Sequence, residues 1–223
     1  MSLWTPDARA EHVDALLSRA PVLPVLAIEH LEDAVPLARA LVDAGLPVLE
    51  VTLRTAVALD AVARIVVEVP DAVVGVGTVL RPEDRAAAQT ARAAFAISPG
   101  ATDALYAAAD TACIPWIPAV ASASDIMRGL GHGHRRFKFF PAASSGGTGA
   151  LRAFGGPFPQ VRFCPTGGID AGSAPDYLTL ANVVTVGGSW MVPAAALQAR
   201  DWPAISRLAR EAAALARAAP SPG

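Results

Sequence analysis

Short apolar runs rich in β-branched residues alternate with amphipathic segments along most of the chain. The runs begin near Val22, Val48, Val73, Phe95, Ile114, Arg136, Arg162 and Val183. Runs of this length and composition predict buried strands. Between them, apolar residues recur at the spacing of a helix, as in residues 31–45, where Gly45 follows at the position of a helix C-cap. The pattern therefore predicts strands and helices in alternation.

This alternation predicts right-handed βαβ crossovers and a parallel sheet. Eight such units favour a single α/β domain over residues 1–223, folded as a closed (β/α)8 TIM barrel. A doubly wound sheet is the alternative, although it usually has fewer strands and needs a reversal of strand order. We expect a leading helix within residues 1–20 that opens near Pro6, a C-terminal helix over 202–218 and a frayed tail at 219–223.

The composition supports a globular protein and argues against some partners. Hydrophobic residues make up 53% of the chain and charged residues 17%, which favours a large core over disorder. A net charge of -2 gives no electrostatic reason to bind nucleic acid or an anionic membrane. The N-terminus lacks the features of a signal peptide, no apolar run reaches the ~18 residues of a membrane span, and two cysteines are too few for a disulfide framework. We therefore expect a cytoplasmic protein with no membrane partner.

The chain has one lysine among its 18 basic residues, Lys138, in the apolar stretch "RRFKFFPA". Because alternate side chains of a strand share a face, Lys138 and Phe140 point one way, and Phe137 and Phe139 the other. If Phe137 and Phe139 pack against the helices, Lys138 points into the barrel. A dry setting disfavours the ammonium and frees a fraction of nucleophilic amine. A strand lysine that extends to water, or a stretch that is really a loop, is the alternative.

A second ionisable residue falls within a predicted strand, in "VLEVTLRT". Glu50 shares its face with Val48 and Thr52. It could be only the salt-bridge partner of Lys138 or Arg54. An amine and a carboxylate inside one barrel would also supply a nucleophile and a proton shuttle. Arg54 lies at the end of the strand, where a guanidinium can hold a substrate carboxylate through two hydrogen bonds.

Two glycine runs follow the last two predicted strands: "TGG" at 166–168 and "GGS" at 187–189. Barrels often bind phosphate there, through backbone N–H groups that glycine leaves accessible and the start of a short helix. One such pair alone would more simply make a tight turn. Two pairs after adjacent strands favour a phosphate site. The third glycine-rich run, at 144–149, is interpreted as a flexible loop at the rim.

Other residues with reactive side chains give weaker signals. His132 and His134 could bind a metal, but they precede a strand, at the opposite end from the expected site, and lack further ligands nearby. Cys164 shares a face with Thr166 and is interpreted as packing volume, and Cys113 as part of the core. The stretch "GVGT" is not a dinucleotide fingerprint, since it lacks the third glycine.

Six blocks in order, from about Val22 to Pro193, resemble the 2-keto-3-deoxy-6-phosphogluconate (KDPG) aldolases, class I enzymes of the Entner–Doudoroff pathway. The blocks are "VLEVTLRT", "GVGTVL", "FAISPG", "FKFFPA", "GPFPQVRFCPTGGI" and "VGGSWMVP". The resemblance implies a lyase that reversibly cleaves KDPG, a phosphorylated keto acid, to pyruvate and glyceraldehyde 3-phosphate, and that also handles 4-hydroxy-2-oxoglutarate. It further implies a homotrimer that needs no metal or other cofactor.

The resemblance also assigns roles to residues of these blocks. Lys138 matches the lysine that forms the Schiff base and Glu50 the general acid and base, while Arg54 and Thr78 match residues that hold the pyruvyl carboxylate. The remaining matches line the pocket at Pro99, Phe140 and Thr166, and bind the phosphate at Gly167, Gly168 and Ser189, with Gly188 in the same run.

Two stretches depart from the family pattern. Ala119 follows Pro118 where Pro-Gly is common, and the residues after "FKFFPA" lack an acidic side chain. Both bear on loop shape and aldehyde preference. Three other functions stay open: the related phosphogalactonate aldolase, a non-catalytic trimeric assembly subunit, and a phosphate-binding barrel isomerase without a covalent step. The last leaves the buried lysine unexplained.

Overall fold

The computed structural model of the protein describes residues 4–110 and 113–216, in which nine strands alternate with helices. The strands are β1 (Val22–Leu26), β2 (Val48–Thr52), β3 (Val73–Gly77), β4 (Phe95–Ile97), β5 (Trp116–Ile117), β6 (Ala119–Val120), β7 (Arg136–Phe139), β8 (Arg162–Pro165) and β9 (Val186–Gly188). The α-helices are α1 (Pro6–Leu17), α2 (Ala34–Val42), α3 (Ala58–Glu68), α4 (Pro82–Thr90), α5 (Asp103–Ala109), α6 (Ala123–Gly131), α7 (Gly147–Gly155), α8 (Ala174–Leu178), α9 (Ala194–Gln198) and α10 (Trp202–Ala213), and a 3₁₀-helix (Leu31–Asp33) precedes α2.

All strand pairs in these ranges are parallel, as the alternation predicts. Six strands form one curled sheet in the order β5-β4-β3-β2-β1-β9, and three form a second sheet in the order β6-β7-β8. Pro118 separates β5 from β6, and it has no N–H to donate to a neighbouring strand. Isolated bridges pair Phe163 with Val183 and Thr166 with Gly187, between the second sheet and the segment that ends in β9. The prediction of an α/β fold with a parallel sheet is confirmed.

Two strands begin later than the sequence indicates. β5 begins at Trp116 instead of Ile114, because Pro115 contributes only its carbonyl, which accepts from Ala96 N. β9 begins at Val186 instead of Val183, because the preceding residues pair with β8: Val184 N donates to the Phe163 carbonyl at 2.9 Å. Local pairing therefore sets both boundaries.

The helix predictions are largely confirmed. α1 opens at Pro6, where the Thr5 hydroxyl accepts from Ala8 N at 3.2 Å. The segment 31–45 holds the 3₁₀-helix, then α2, which ends at Val42, and a turn to Gly45, whose φ of +95° is the left-handed conformation that glycine adopts at low cost. The last helix ends at Ala213, and the expected tail at 219–223 lies outside the described residues.

One loop prediction is wrong. The run 144–149 is a turn followed by the first residues of α7, which begins at Gly147. Its glycines supply the turn, since Gly146 and Gly147 have φ of +100° and +57°. Among the described residues, no helix combines the length and apolar character needed to cross a membrane.

The strands separate two apolar clusters. The larger lies between the strands and the helices, and the smaller lies on the inward face of the strands, with Leu23, Val48 and Phe95 among its members. Val13 and Leu17 of α1 belong to the smaller cluster. Helix α1 therefore packs against the inward face of the strands.

Ion pairs hold α1 to the start of β7. Arg136 Nε and Nη2 each donate to the Asp14 carboxylate at 2.6 Å, in a two-bond geometry. Arg135 pairs with Asp7, about two turns earlier on α1. Beneath them lies His134, 2% exposed, with the rings of Tyr106 and Trp116 edge-on at 5.5 and 5.4 Å. Burial, reinforced by the nearby Arg9 charge, lowers the pKa of His134 to about 3.

This low pKa predicts acid sensitivity. Between the ordinary pKa of 6.5 and about 3, the unfolded chain binds a proton at His134 that the folded chain does not, so stability falls as the pH drops through this window. The expected loss from this residue between pH 7 and pH 5 is about 2 kcal/mol. Urea unfolding at both pH values should show a smaller loss in His134→Phe, with the exposed His12→Phe as the matched control. An equal loss in all three proteins would contradict this account.

Candidate active site

Lys138 and Glu50 meet inside the barrel-like interior. Lys138 Nζ donates to Glu50 Oε1 at 2.9 Å and to Oε2 at 3.2 Å. Their side chains are 7% and 1% exposed. The two residues are far apart in sequence, on β7 and β2, so the contact depends on the fold. Of the two ion-pair partners considered for Glu50, the structure has Lys138.

The alternation of β7 explains the direction of the lysine. Phe137 and Phe139 are buried against the helices, where the Phe139 ring lies 6.3 Å from that of Phe163. Lys138 points to the other side, and its Nζ lies 5.5 Å from the centre of the Phe140 ring. With 5% of its surface exposed, Lys138 does not extend to water. The alternative of a solvated strand lysine is therefore wrong.

The pair can move a proton without solvent. The ammonium and the carboxylate each lose hydration on burial, and their mutual charge and hydrogen bonds offset that cost. Transfer of one proton from Nζ to Oε1 across the 2.9 Å hydrogen bond leaves a neutral amine beside a carboxylic acid. Chemically, this arrangement provides a nucleophile and an adjacent acid and base.

Arg54 lies at the carboxyl end of β2, as predicted, and is exposed. Its Nε donates to Thr52 Oγ1 at 3.0 Å, and Thr52 in turn donates to the Leu26 carbonyl at 2.8 Å. This chain of bonds fixes the guanidinium at the mouth of the interior. The role of Thr52 was not predicted, although its position two residues before Arg54, on the face of Glu50, is a signal that the sequence contains.

The predicted pocket residues lie at the same ends of neighbouring strands. Thr78 follows β3 with φ of +62°, a conformation that costs a non-glycine residue energy and is common at functional sites. Thr166 follows β8, is 5% exposed and bridges to Gly187. Pro99 and Phe140 line a cavity of about 110 Å³ together with Ala119.

The predicted phosphate residues fall into two groups. Gly167 and Gly168 have φ of +100° and +72°, and a Cβ on Gly167 would lie 3.2 Å from the Phe140 ring. Ser189 is exposed after β9 and, with Arg54, lines a cavity of about 520 Å³. The two glycines and Gly188 do not line this cavity. The short helices α8 and α9 follow the two runs, as the turn pattern predicts.

The histidines of "GHGHRR" lie at the opposite end. The His132 ring stacks on Tyr106 with centres 4.3 Å apart, and Arg9 Nη1 donates to its carbonyl. Across residues 4–110 and 113–216, no three His, Cys, Asp or Glu side chains are grouped as metal ligands. Both rings are thus engaged with aromatic neighbours, and the described residues offer no site that would hold a metal.

The two cysteines differ in environment. Cys164 lies beside Lys138 in the β7–β8 register and is fully buried, and burial raises the pKa of its thiol to about 12. It packs as predicted. Cys113 is exposed, so the prediction of a core position is wrong. It lies in the bend before β5, not on the strand itself.

Comparisons with known proteins agree with this geometry. The family model described as KDPG and KHG aldolase matches residues 13–208. The KHG/KDPG aldolase of Escherichia coli K12 is 52% identical over 95% of this chain and 97% of its own length. The KDPG aldolase of Legionella pneumophila, solved with pyruvate captured at low pH as a covalent carbinolamine intermediate, superposes with a TM-score of 0.88 at 48% identity, over 90% of this chain and 98% of its own. The Zymomonas mobilis ZM4 KDPG aldolase, solved with 3-phosphoglycerate, superposes with a TM-score of 0.89 at 50% identity, over 94% of this chain and 98% of its own.

The contrast between the cysteines predicts selective labelling. In the folded protein at pH 8, a disulfide reagent such as DTNB should modify Cys113 quickly and leave Cys164 unmodified, because only the thiolate reacts and burial suppresses it. In denaturant both thiols should react. Cys113→Ser serves as the control and should release no fast signal when folded. Rapid reaction of two thiols in the native protein would contradict the buried position of Cys164.

Proposed function

The chain belongs to the KDPG and KHG aldolase family, and we propose that it is a class I aldolase that reversibly cleaves KDPG to pyruvate and D-glyceraldehyde 3-phosphate. We propose 4-hydroxy-2-oxoglutarate as a second substrate. The observation that carries the proposal is the buried contact between Lys138 Nζ and the Glu50 carboxylate. An aldolase of this class needs an amine nucleophile beside a proton carrier, and this contact supplies both.

The reaction begins with the amine. Glu50 takes a proton from the Lys138 ammonium, and the neutral Nζ attacks the C2 ketone of KDPG to form a carbinolamine. Glu50 returns a proton to the C2 hydroxyl, which leaves as water, and the nitrogen becomes a cationic iminium. The hydrogen bond of 2.9 Å between Lys138 Nζ and Glu50 Oε1 supports these transfers.

The iminium then accepts the electrons of the broken bond. Glu50, again a carboxylate, removes the proton of the C4 hydroxyl directly or through a water. The C3–C4 bond breaks, its electron pair moves toward the iminium, and glyceraldehyde 3-phosphate leaves. The enamine that remains on Lys138 takes a proton from Glu50 at C3, and water hydrolyses the resulting iminium to release pyruvate. The electron sink in these steps is the protonated nitrogen.

We propose for the other residues the binding roles that the family resemblance implies. Arg54 and Thr78 hold the pyruvyl carboxylate at the ends of β2 and β3, which adjoin in the sheet. The pocket walls are Pro99, Phe140 and Thr166, and the phosphate ligands are Gly167, Gly168, Gly188 and Ser189. The open backbone of the two positive-φ glycines and the exposed Ser189 hydroxyl support the phosphate role.

We also propose that the two sheets form one closed (β/α)8 TIM barrel within a single domain. The interruption at Pro118 lies within a single extended segment, and the bridges from Phe163 and Thr166 join β8 to the segment of β9. Counting β5 and β6 as one strand gives the eight of that architecture. The free cysteines Cys113 and Cys164 support a cytoplasmic location.

A homotrimer is part of the proposal. Leu80 and Met127 expose 58% and 64% of their surface, which is unusual for large apolar side chains and is consistent with contacts between subunits. Light scattering at several concentrations tests it.

Two alternatives remain for comparison. The phosphogalactonate aldolase differs in the C4 stereocentre, and an assay on both 6-phosphates separates the two activities. A non-catalytic assembly subunit would have lost part of the site, whereas Lys138, Glu50 and the glycine runs are all in place. The presence of these residues favours an aldolase over a non-catalytic subunit.

Borohydride reduction in the presence of pyruvate should trap one adduct on Lys138. Reduction converts the iminium into a stable secondary amine, and Lys138 is the only lysine, so peptide mapping by mass spectrometry has one side chain to identify. Lys138→Arg keeps a charge near Glu50 but cannot form the iminium, and it should give no such peptide. An unmodified Lys138 peptide in the wild-type protein would contradict the Schiff base.

Glu50→Gln should lower kcat by roughly 10²–10⁴-fold, because an amide cannot carry the protons of the later steps. The same variant should still form a trapped adduct with pyruvate after longer incubation, since the amine is intact. Steady-state assay and trapping on one preparation check both statements. A kcat within a few-fold of wild type would exclude Glu50 as the proton carrier.

A further inference from the structure

Strand β3 contributes no side chain to the interior next to Glu50. Val74 and Val76 face the helices, and the residues between and after them, Gly75 and Gly77, occupy the inward positions. In register, Gly75 lies beside Glu50 and Gly77 beside Thr52. At Gly75 and Gly77 the inward face of β3 therefore consists of backbone atoms only, next to the Glu50 side chain.

The space over Gly77 is occupied by the Glu50 side chain. A Cβ on Gly77 would lie 2.1 Å from Glu50 Oε1, 2.6 Å from its Cγ and 2.7 Å from its Cδ. Carbon and oxygen atoms in contact stay about 3.5 Å or more apart, so an added methyl and this position of Glu50 exclude each other. The three nearest atoms all belong to Glu50, and the backbone conformation of Gly77 is one that other residues adopt.

Glu50 cannot give way without losing its contact. The side chain is 1% exposed, and both carboxylate oxygens accept hydrogen bonds from Lys138 Nζ. Rotation of the carboxylate away from β3 would lengthen at least one of these bonds. A methyl on Gly77 would therefore displace the Glu50 carboxylate from Lys138 Nζ before it disturbs the rest of the fold.

We propose that Gly77 is a positioning residue: the absence of a side chain there sets the Glu50 carboxylate against the Lys138 amine. The expected effect on turnover rests on the proposed function. The steric requirement, that the Glu50 side chain occupies the space over Gly77, does not depend on any substrate. Gly77 touches no reacting atom and acts through Glu50.

Gly75 provides a matched control on the same strand. A Cβ there would lie 2.1–2.4 Å from three carbons of the Phe95 ring, in the interior cluster. The same glycine-to-alanine change at Gly75 disturbs core packing, and at Gly77 it disturbs the ion pair. The two variants separate loss of stability from misplacement of the carboxylate.

The experiment is a double-mutant cycle with Gly77→Ala, Glu50→Ala and the double variant, alongside Gly75→Ala. Alanine removes Cγ, Cδ and both oxygens of Glu50 and so empties the space over Gly77, whereas aspartate would keep a carbon at the Cγ position, 2.6 Å from the added Cβ. Each protein is measured for kcat and KM with KDPG, for the plateau of pyruvate trapped on Lys138, and for its thermal midpoint.

We expect Gly77→Ala to lower kcat by roughly 10–10²-fold with a small change in KM and a full trapping plateau. Adding Gly77→Ala to Glu50→Ala should cost much less than this, so the effects combine less than multiplicatively. The thermal midpoint should show the same coupling, with a smaller drop in the Glu50→Ala background. Gly75→Ala should lower the midpoint most and show no coupling with Glu50→Ala.

Independent, multiplicative effects of Gly77→Ala and Glu50→Ala on both kcat and the thermal midpoint would overturn the inference. So would a Gly77→Ala protein that fails to fold in both backgrounds, since the methyl would then clash with something other than Glu50; folding only in the Glu50→Ala background would support it. If the wild-type protein does not cleave KDPG, the proposed function fails, and the coupling of the thermal midpoints still decides the role of Gly77.

Discussion

The buried ion pair of Lys138 and Glu50 is the constraint on which the rest of the structure depends. Taking an ammonium and a carboxylate out of water costs several kcal/mol for each ion, and the attraction between them offsets that cost only when the geometry is good. Here the two oxygens share one nitrogen at 2.9 and 3.2 Å. Such a pair contributes little net stability, so its position in the interior is understood through chemistry rather than folding. The burial of both side chains limits the access of water to this contact.

The neighbouring strands are arranged around this pair. On β7, Phe137 and Phe139 fill the positions that face the helices, and Lys138 lies on the opposite face. On β3, Gly77 leaves room for the carboxylate, and on β9, Gly187 leaves room for Thr166, whose Oγ1 would lie 2.2 Å from an added Cβ. The site is thus defined by where side chains are missing as much as by where they are present. At the amino-terminal ends of the strands, helix α1 covers the interior. The buried side chains of Arg9, Arg85 and His134 lie at this end, where burial lowers the pKa of both guanidinium groups.

The sequence predicted the elements and the central pair because both depend on local periodicity. An alternation of two places Lys138 and Glu50 on inward faces whatever their partners are. It could not predict Gly77, because the need for an empty position appears only when the register of β2 against β3 is known. For the same reason it did not separate Ser189, which lines the large cavity, from Gly167 and Gly168, which lie toward Phe140. The errors at Cys113 and at residues 144–149 come from segments next to strands, where hydrophobicity and glycine content do not determine whether the chain bends, exposes a side chain or starts a helix.

The same geometry explains why the departures from the family pattern leave the chemistry in place. Ala119 pairs with Lys138 in the β6–β7 register, is 4% exposed and lines the small cavity with Pro99 and Phe140. Its methyl therefore forms part of the wall of that small cavity. Ala143 lies near Gly168, where its Cβ would be 2.7 Å from an added Cβ, so it shapes the glycine turn and not the ion pair. Both positions thus lie in the walls of the site, whereas the contact between Lys138 and Glu50 is formed by side chains of β7 and β2.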